Sequence, residues 1–293
     1  MTKTIKLSPD SGFKIVLTSA AVFVPLVCGA VVLSLVTNSV DAFGKFGFFG
    51  FLFSSEWSQT PGSESYGALP FILGTLLTTL LALILCVPFS LSIALFNGEY
   101  YKGTTLAKTL GTIVDLLAGI PSVIYGLWGF YVLRPIVMTL GLSPQGSGIL
   151  TASLVLTIMI IPYAASLSTE FIKMVPANLK EGAYSLGATR AEVLGKIVFP
   201  TAGSGIFSAF ILAVGRALGE TMTVTMLIGN TNQIPGSIYD TGNSMASIVA
   251  NQFGEADGLK LSSLFAIALI LFVITAIINI IGKIIIRRNA IKR

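Results

Sequence analysis

Six long apolar segments constrain this chain more than any other feature of its sequence. Each is long enough to cross a lipid bilayer as an α-helix, which requires about 20 residues. The chain is 54% hydrophobic and only 11% charged, whereas a soluble domain has about 25% charged residues. The sequence therefore predicts an all-α integral membrane protein with six transmembrane helices, near residues 15–37, 71–96, 109–133, 149–171, 201–229 and 261–286.

The distribution of positive charge predicts the orientation of these spans. If the N-terminus is cytoplasmic, the outer segments contain only Lys45, Arg134 and Lys260, and Arg216 lies inside a span. The other Lys and Arg residues then face the cytoplasm, and this asymmetry is the one that orients membrane proteins. We therefore expect both termini to be cytoplasmic. The first span lacks a small-x-small cleavage site, so we interpret it as a retained anchor and not a signal peptide.

The fifth predicted span contains two ionisable residues, Arg216 and Glu220, four residues apart and therefore on one helix face. Arg216 lies about 24 Å along a helix from Pro200, deep in the bilayer. A central Arg costs about 2.5–3.5 kcal/mol, so it must face protein or a water-filled cavity. Its paired donors suit a tetrahedral oxyanion, and we place Arg216, Glu220 and Thr221 on a substrate path. The alternative is an Arg–Glu clasp that only holds helices together.

The role of Glu220 has two interpretations. It either holds Arg216 in place or accepts a hydrogen bond from a protonated oxyanion such as hydrogen phosphate. The second interpretation favours phosphate over sulfate, which carries no proton at neutral pH.

Glycine and proline positions predict how two of the spans are shaped. Gly215 and Gly219 form a small-xxx-small pair, which allows another helix to approach closely. Pro121 is expected to kink the third span and to free the carbonyl of Leu117. That carbonyl and the Ser122 hydroxyl would then line the substrate path, although a kink needed only for packing fits equally well.

The polar stretch at residues 181–200 reads EGAYSLGATRAEVLGKIVFP and lies between two apolar segments. Five of its residues stand at the offsets of the cytoplasmic coupling loop of ABC-importer permeases: E-A-A, three residues, Gly, nine residues, I-x-L-P. These residues are Glu181, Ala183, Gly187, Ile197 and Pro200. We expect Gly187 to divide the stretch into two short helical pieces.

The chain as a whole resembles the permeases of phosphate ABC importers, most clearly over residues 66–285. The specific strings are GALPFILGT at 67–75, GIPSVIYGLWG at 119–129 and GRALGETM at 215–222. Trp57 and the long segment that contains it resemble the C-type more than the A-type permease subunit. The chain departs from the general loop pattern at Gly182, where Ala is usual, and at Phe199, where Leu is usual.

The resemblance implies a type I ABC importer permease fold in the cell inner membrane, with residue roles and partners. Arg216 with Glu220 would be needed for transport, and Glu181, Ala183, Gly187 and Ala188 would couple the chain to an ATPase. The implied partners are a sister permease of the PstA type, two ATPase subunits of the PstB type and an external phosphate-binding protein of the PstS type. Inorganic phosphate would be the substrate.

The predicted spans and the resemblance together predict the domain organisation. Residues 1–70 would contain the cytoplasmic N-terminus, the first transmembrane helix and an outer segment. Residues 71–286 would form the permease core, with five transmembrane helices and the coupling loop at 172–200. Residues 287–293 would form a basic cytoplasmic tail.

The sequence contains no motif for catalysis or nucleotide binding. Its Gly-Lys pairs are followed by Phe46, Ile197 and Ile284, so none completes a Walker A loop. The chain has no His, and Cys28 and Cys86 lie in apolar segments, which argues against a metal site or a His-activated nucleophile. The positive charges form no basic face for nucleic acid. We expect a transport subunit and not an enzyme, with no cofactor of its own and with ATP and Mg bound by the partner ATPase.

Three other functions remain open at this point. The chain would also fit a permease for another oxyanion, such as sulfate or molybdate. A self-sufficient channel or ion-driven carrier would use Arg216 and Glu220 as its gate, and a scaffold or sensor subunit would conduct nothing.

Overall fold

The computed structural model describes residues 9–60 and 63–289, which are mainly helical. Within them, six helical stretches are long and apolar enough to cross a membrane: Gly12–Phe46, Leu69–Tyr100, Ser122–Thr139, Ile149–Lys173, Arg190–Leu218 and Gly258–Arg287. The prediction of an all-α chain with six candidate spans is confirmed. The predicted cytoplasmic N-terminus and most of the basic tail lie outside the described residues.

Residues 9–60 and 63–139, as the structure describes them, form seven helices and one small hairpin. The helices are α1 (Pro9–Asn38), α2 (Val40–Phe46), α3 (Phe48–Phe53), α4 (Leu69–Leu95), α5 (Thr105–Ala118), α6 (Ser122–Trp128) and α7 (Arg134–Thr139). A π-helical turn, Phe96–Tyr100, extends α4, and another, Gly129–Leu133, joins α6 to α7. Strands β1 (Trp57–Ser58) and β2 (Ser65–Tyr66) pair antiparallel, with Trp57 opposite Tyr66.

The second half also contains seven helices. They are α8 (Ile149–Lys173), α9 (Ala177–Ser185), α10 (Arg190–Val193), α11 (Phe199–Leu218), α12 (Met222–Leu227), α13 (Met245–Gln252) and α14 (Gly258–Asn289). The π-helical turn Leu194–Val198 joins α10 to α11, and a 3-10 turn, Phe253–Glu255, follows α13.

The core of the molecule forms around α8, which packs against α4, α5 and α11. In its most apolar 18-residue window, 67% of the residues are buried, whereas none is buried in the corresponding window of α1. Glycine permits the tightest contact with α11, because a Cβ at Gly205 would lie 2.2 Å from the ring of Phe171 on α8. Thus α8 is the central helix, whereas α1 is peripheral and exposed.

The predicted third span, 109–133, is wrong as a single helix. α5 ends at Ala118, and α6 begins at Ser122. Pro121 occupies the N-cap of α6, where its missing N–H leaves no helical hydrogen bond unmade. Pro121 therefore separates two helices and does not kink one. The Leu117 carbonyl is not left free, because the Tyr125 hydroxyl donates to it at 2.8 Å.

The region between α12 and α14 is more ordered than its polar sequence suggests. It contains α13, whose Met245 and Ile248 side chains are fully buried. The Met245 N–H donates to the Thr75 hydroxyl of α4 at 2.9 Å. A Cβ at Gly74 would lie 2.0 Å from the Asn243 carbonyl oxygen, so this glycine lets the segment pack directly on α4.

Candidate functional site

The arginine predicted to lie in the substrate path is held against an aromatic ring. Arg216 lies in the last turn of α11, and its guanidinium carbon is 4.1 Å from the centre of the Tyr163 ring on α8. The Tyr163 hydroxyl donates to the Ala118 carbonyl, at the end of α5, at 2.8 Å. A guanidinium stacked in this way keeps its in-plane N–H donors free for an anion. The Arg216 side chain is exposed in the isolated chain.

Glu220 does not lie on the helix that carries Arg216, which corrects the predicted geometry. α11 ends at Leu218, residues 219–221 are not helical, and α12 begins at Met222. Among residues 9–60 and 63–289, the ion pairs do not include Arg216 with Glu220. One carboxylate oxygen of Glu220, Oε1, accepts a hydrogen bond from the Thr223 N–H at 3.2 Å. Glu220 therefore stabilises the start of α12 in this conformation and does not clasp the arginine.

The breaks in the third and fifth predicted spans are neighbours in space. The Thr223 hydroxyl on α12 donates to the Ser122 carbonyl on α6 at 2.8 Å. Gly126 lets the two helices touch, because a Cβ there would lie 2.7 Å from the sulfur of Met226. Broken helices leave backbone polar groups without helical partners, and membrane proteins tolerate them inside protein or beside a water-filled cavity. The structure thus brings Ser122, Glu220 and Thr221 into one irregular region next to Arg216.

The predicted packing role of the glycine pair is only partly matched by the geometry. Gly215 faces the side chain of Asn279 on α14, and a Cβ at Gly215 would lie 3.7 Å from the Asn279 amide nitrogen, an ordinary contact distance. Gly219 lies in the break after α11, and its nearest neighbours are carbonyl oxygens of its own helix. Sequence reasoning missed Tyr163 and Tyr125; the signal available was a tyrosine close to a proline in an apolar span.

The predicted coupling loop, residues 172–200, forms two helices on either side of a glycine turn. α9 ends at Ser185, and the turn contains Gly187 at φ +84°, a conformation that favours glycine. The Thr189 hydroxyl caps α10 by accepting from the Glu192 N–H. Gly187 therefore divides the loop into two helical pieces, as predicted.

The residues of the coupling loop differ in exposure. Glu181 and Gly187 are exposed, whereas Ala183 and Ala188 are half-buried against the apolar cluster around Val193. Leu186, at the tip of the loop, is 91% exposed. Sequence reasoning did not select Leu186, although an apolar residue beside the loop glycine was a usable signal.

Two basic side chains of the coupling loop bind the end of α4. Lys180 of α9 forms an ion pair with Glu99 at 2.7 Å, and each side chain is only 11% exposed. Arg190 donates to the Tyr100 carbonyl at 2.7 Å, and its guanidinium carbon lies 4.3 Å from the centre of the Tyr100 ring. The loop is thus held on the π-helical turn that ends α4.

The chain is similar along most of its length to known permeases. Residues 87–291 match the family described as binding-protein-dependent transport system inner membrane component. Phosphate transport system permease protein PstC of Pasteurella multocida is 42% identical over 92% of this chain and 88% of its own length. PstC of Haemophilus influenzae is 39% identical, with 95% and 93% covered.

Solved structures support the same fold. A permease chain of a bacterial alginate ABC transporter, in complex with an alginate pentasaccharide-bound periplasmic protein, matches with a TM-score of 0.64 at 18% identity and covers 95% of this chain and 98% of its own. A chain of the MetNI methionine ABC transporter in an inward-facing conformation matches with a TM-score of 0.57 at 19% identity, covering 75% of this chain and 92% of its own. The chain therefore belongs to the binding-protein-dependent transport system inner membrane components, as a multi-pass membrane protein with the type I ABC importer permease fold.

Proposed function

We propose that this chain is the membrane permease subunit of an ATP-driven importer of inorganic phosphate. The observation that carries the proposal is its similarity, over 92% of its length, to a permease named for phosphate transport. The intramembrane Arg216 lies over the Tyr163 ring and donates no hydrogen bond to another described residue, so it supplies a group that such a substrate requires. ATP and Mg would be bound by the partner ATPase, because this chain has no nucleotide motif.

The phosphate path runs past the two neighbouring helix breaks. Arg216 offers charge and planar donors to the phosphate oxygens, while Ser122 and Thr221 supply polar groups beside it. Glu220 uses Oε1 to accept from Thr223, and among the described residues its Oε2 accepts no hydrogen bond. Oε2 is therefore available to a protonated oxyanion, which favours hydrogen phosphate over sulfate.

The coupling loop transmits the work of the ATPase to this path. Its outer face, with Glu181, Gly187 and the exposed Leu186, docks on the ATPase, while Ala183 and Ala188 support it from inside. The complete importer would contain a sister permease of the PstA type, two ATPase subunits of the PstB type and an external binding protein of the PstS type. In this arrangement the coupling loop and both termini face the cytoplasm.

Uptake of labelled phosphate tests the proposal. Cells lacking other phosphate importers would express all subunits with wild type, Arg216→Gln or the matched control Arg287→Gln, an exposed arginine at the end of α14. We expect uptake that resists excess sulfate, collapses with Arg216→Gln and survives Arg287→Gln at equal membrane levels. Uptake that sulfate or molybdate blocks would assign the chain to another oxyanion. Normal uptake by Arg216→Gln would remove Arg216 from the path.

A further inference from the structure

A cavity of about 690 Å³, lined by both polar and apolar residues, lies beside the turn that holds the predicted coupling loop. Its walls come from Asn97 and Lys102 after α4, from α5 and from the last two turns of α8. None of Arg216, Glu220, Ser122 and Thr221 lines this cavity, so it is separate from the site described above.

The charges that line this cavity leave it net positive. Lys173 is neutralised by Glu170 at 2.9 Å. Lys102 and Lys108 belong to none of the ion pairs formed between the described residues. The remaining carboxylate, Asp115, accepts a hydrogen bond from the Ser166 hydroxyl at 3.2 Å. The two exposed lysines, Lys102 and Lys108, thus outnumber the remaining carboxylate, Asp115, and the lining carries a net positive charge.

A buried amide without a partner also lines the cavity. Asn97 is only 8% exposed, and its buried Oδ1 has no hydrogen-bond partner. Its Nδ2 takes part in no hydrogen bond between described residues and lies 3.8 Å from where a Cβ on Gly111 would be, at the cavity wall. Buried polar side chains are rarely left unpaired without a reason such as a missing ligand or water. Oδ1 can only accept a hydrogen bond, so the group of Asn97 that would contact an oxyanion is Nδ2.

One face of α8 connects Arg216 to this cavity. Tyr163, which stacks on Arg216, is followed at helical spacing by Ser166, Glu170 and Lys173, and these three line the cavity. Residues at such spacing lie on one side of a helix. Tyr163 and Lys173 are ten positions apart, which is about 15 Å along the helix axis. An anion that leaves Arg216 toward the coupling-loop side would therefore meet the cavity next.

We propose that this cavity is an oxyanion site that receives inorganic phosphate after it leaves Arg216, with Lys102 and Lys108 supplying the charge and the Asn97 amide an oriented donor. The choice of phosphate rests on the proposed function. A nucleotide fits poorly, since no described residue that lines the cavity is aromatic and none could stack on a base. A phospholipid headgroup offers the same phosphate chemistry, and the experiment separates the two.

Equilibrium binding of labelled phosphate tests this site. The importer is assembled without its external binding protein or nucleotide, in nanodiscs of phosphatidylcholine. Lys102→Gln/Lys108→Gln is compared with Lys14→Gln/Lys283→Gln, which removes two exposed lysines on the same expected membrane face. Because two charge-assisted contacts are lost, we expect the cavity variant to bind phosphate at least about 10-fold more weakly, and the control to bind like wild type.

Several results would overturn the inference. With Arg216→Gln present in every sample, so that phosphate held by Arg216 does not contribute, equal binding with and without the two cavity lysines would do so, as would no saturable binding at millimolar phosphate. Loss of binding in discs that contain phosphatidylglycerol would assign the site to a lipid headgroup. Cellular uptake distinguishes the two proposals. If wild type imports phosphate but the cavity variant and the control variant bind phosphate equally well, the permease function stands and only this site fails. No phosphate import by wild type would reject the permease function itself.

Discussion

At the scale of single residues, Arg216 and Tyr163 show what a sequence can and cannot reveal. A charged residue inside an apolar span is costly, so Arg216 stands out from its sequence neighbours alone. Tyr163 does not, because a single tyrosine in such a span has many ordinary roles. Tyr163 matters because its ring contacts Arg216, 53 positions away, and because its hydroxyl donates to Ala118 at the end of α5. Only the fold brings these groups together.

The pairing of Arg216 with Tyr163 can be tested by removing the hydroxyl and the ring separately. Tyr163→Phe keeps the ring under the guanidinium but loses the hydrogen bond to Ala118. Tyr163→Leu loses both, and a cation–π contact at an exposed site, such as that of Arg216, is worth about 0.5–1 kcal/mol, or roughly 2- to 5-fold. We expect phosphate uptake, normalised to membrane level, to fall by roughly 2- to 5-fold in Tyr163→Leu and only slightly in Tyr163→Phe. Equal uptake in both variants would show that the stacking has no role in transport.

The role of Gly187 depends on its backbone conformation. At φ +84°, a β-branched side chain is strained, whereas Asn tolerates this region. We expect Gly187→Val to lower phosphate uptake per ATP hydrolysed by the assembled importer, and Gly187→Asn to retain most of it. Gly182→Ala is the control, because a Cβ at Gly182 in α9 meets no other atom within 4 Å. Unchanged coupling in Gly187→Val would refute the role of this turn.

At the scale of elements, the sequence identified the spans better than their interruptions. Pro121 signalled a disturbance in the third span, but the sequence could not show whether the helix would kink there or end. Gly219 gave no such signal, because an isolated glycine inside an apolar helix is tolerated. α11 ends there, and α12 packs against α6 through Gly126 and Thr223. Tertiary contacts with another broken helix thus decide the break.

The attachment of α9 to α4 gives a prediction for these elements as a unit. Glu99 and Lys180 are 81 residues apart in sequence, and their ion pair is nearly buried. Removing one partner of such a pair leaves a buried charge uncompensated. We expect Lys180→Glu to reduce phosphate uptake more than ATP hydrolysis, because the loop still meets the ATPase but no longer moves α4.

The charge-exchanged double variant Glu99→Lys/Lys180→Glu separates coupling from simple folding damage. It restores an ion pair of opposite polarity at the same place, so uptake should recover at least in part. Lys45→Glu/Glu64→Lys exchanges an ion pair outside the loop, with side chains 51% and 37% exposed, and serves as the control, since exposed pairs contribute little. No recovery in the Glu99–Lys180 exchange, at normal membrane level, would contradict a coupling role for this pair.

At the scale of the whole molecule, the number of spans was predictable and their packing was not. Hydropathy depends on local composition, and it correctly found six segments. It could not show that α8 would be central and α1 peripheral, because both are similarly apolar. Large apolar side chains along α1 are exposed, for example Phe23 at 65% and Leu33 at 65%.

The orientation of the whole chain rests on charge distribution and can be measured directly. In a Cys28→Ala/Cys86→Ala background, one cysteine is placed at Thr60, in the expected outer segment, or at Ser185, in the coupling loop; both positions are exposed. Because a membrane-impermeant maleimide reaches only the outer side of intact cells, we expect it to label Thr60→Cys at once and Ser185→Cys only after permeabilisation. The reverse labelling pattern would show that the chain has the opposite orientation. The coupling loop and the cavity residues Lys102 and Lys108 would then lie on the outer side, which no ATPase can reach.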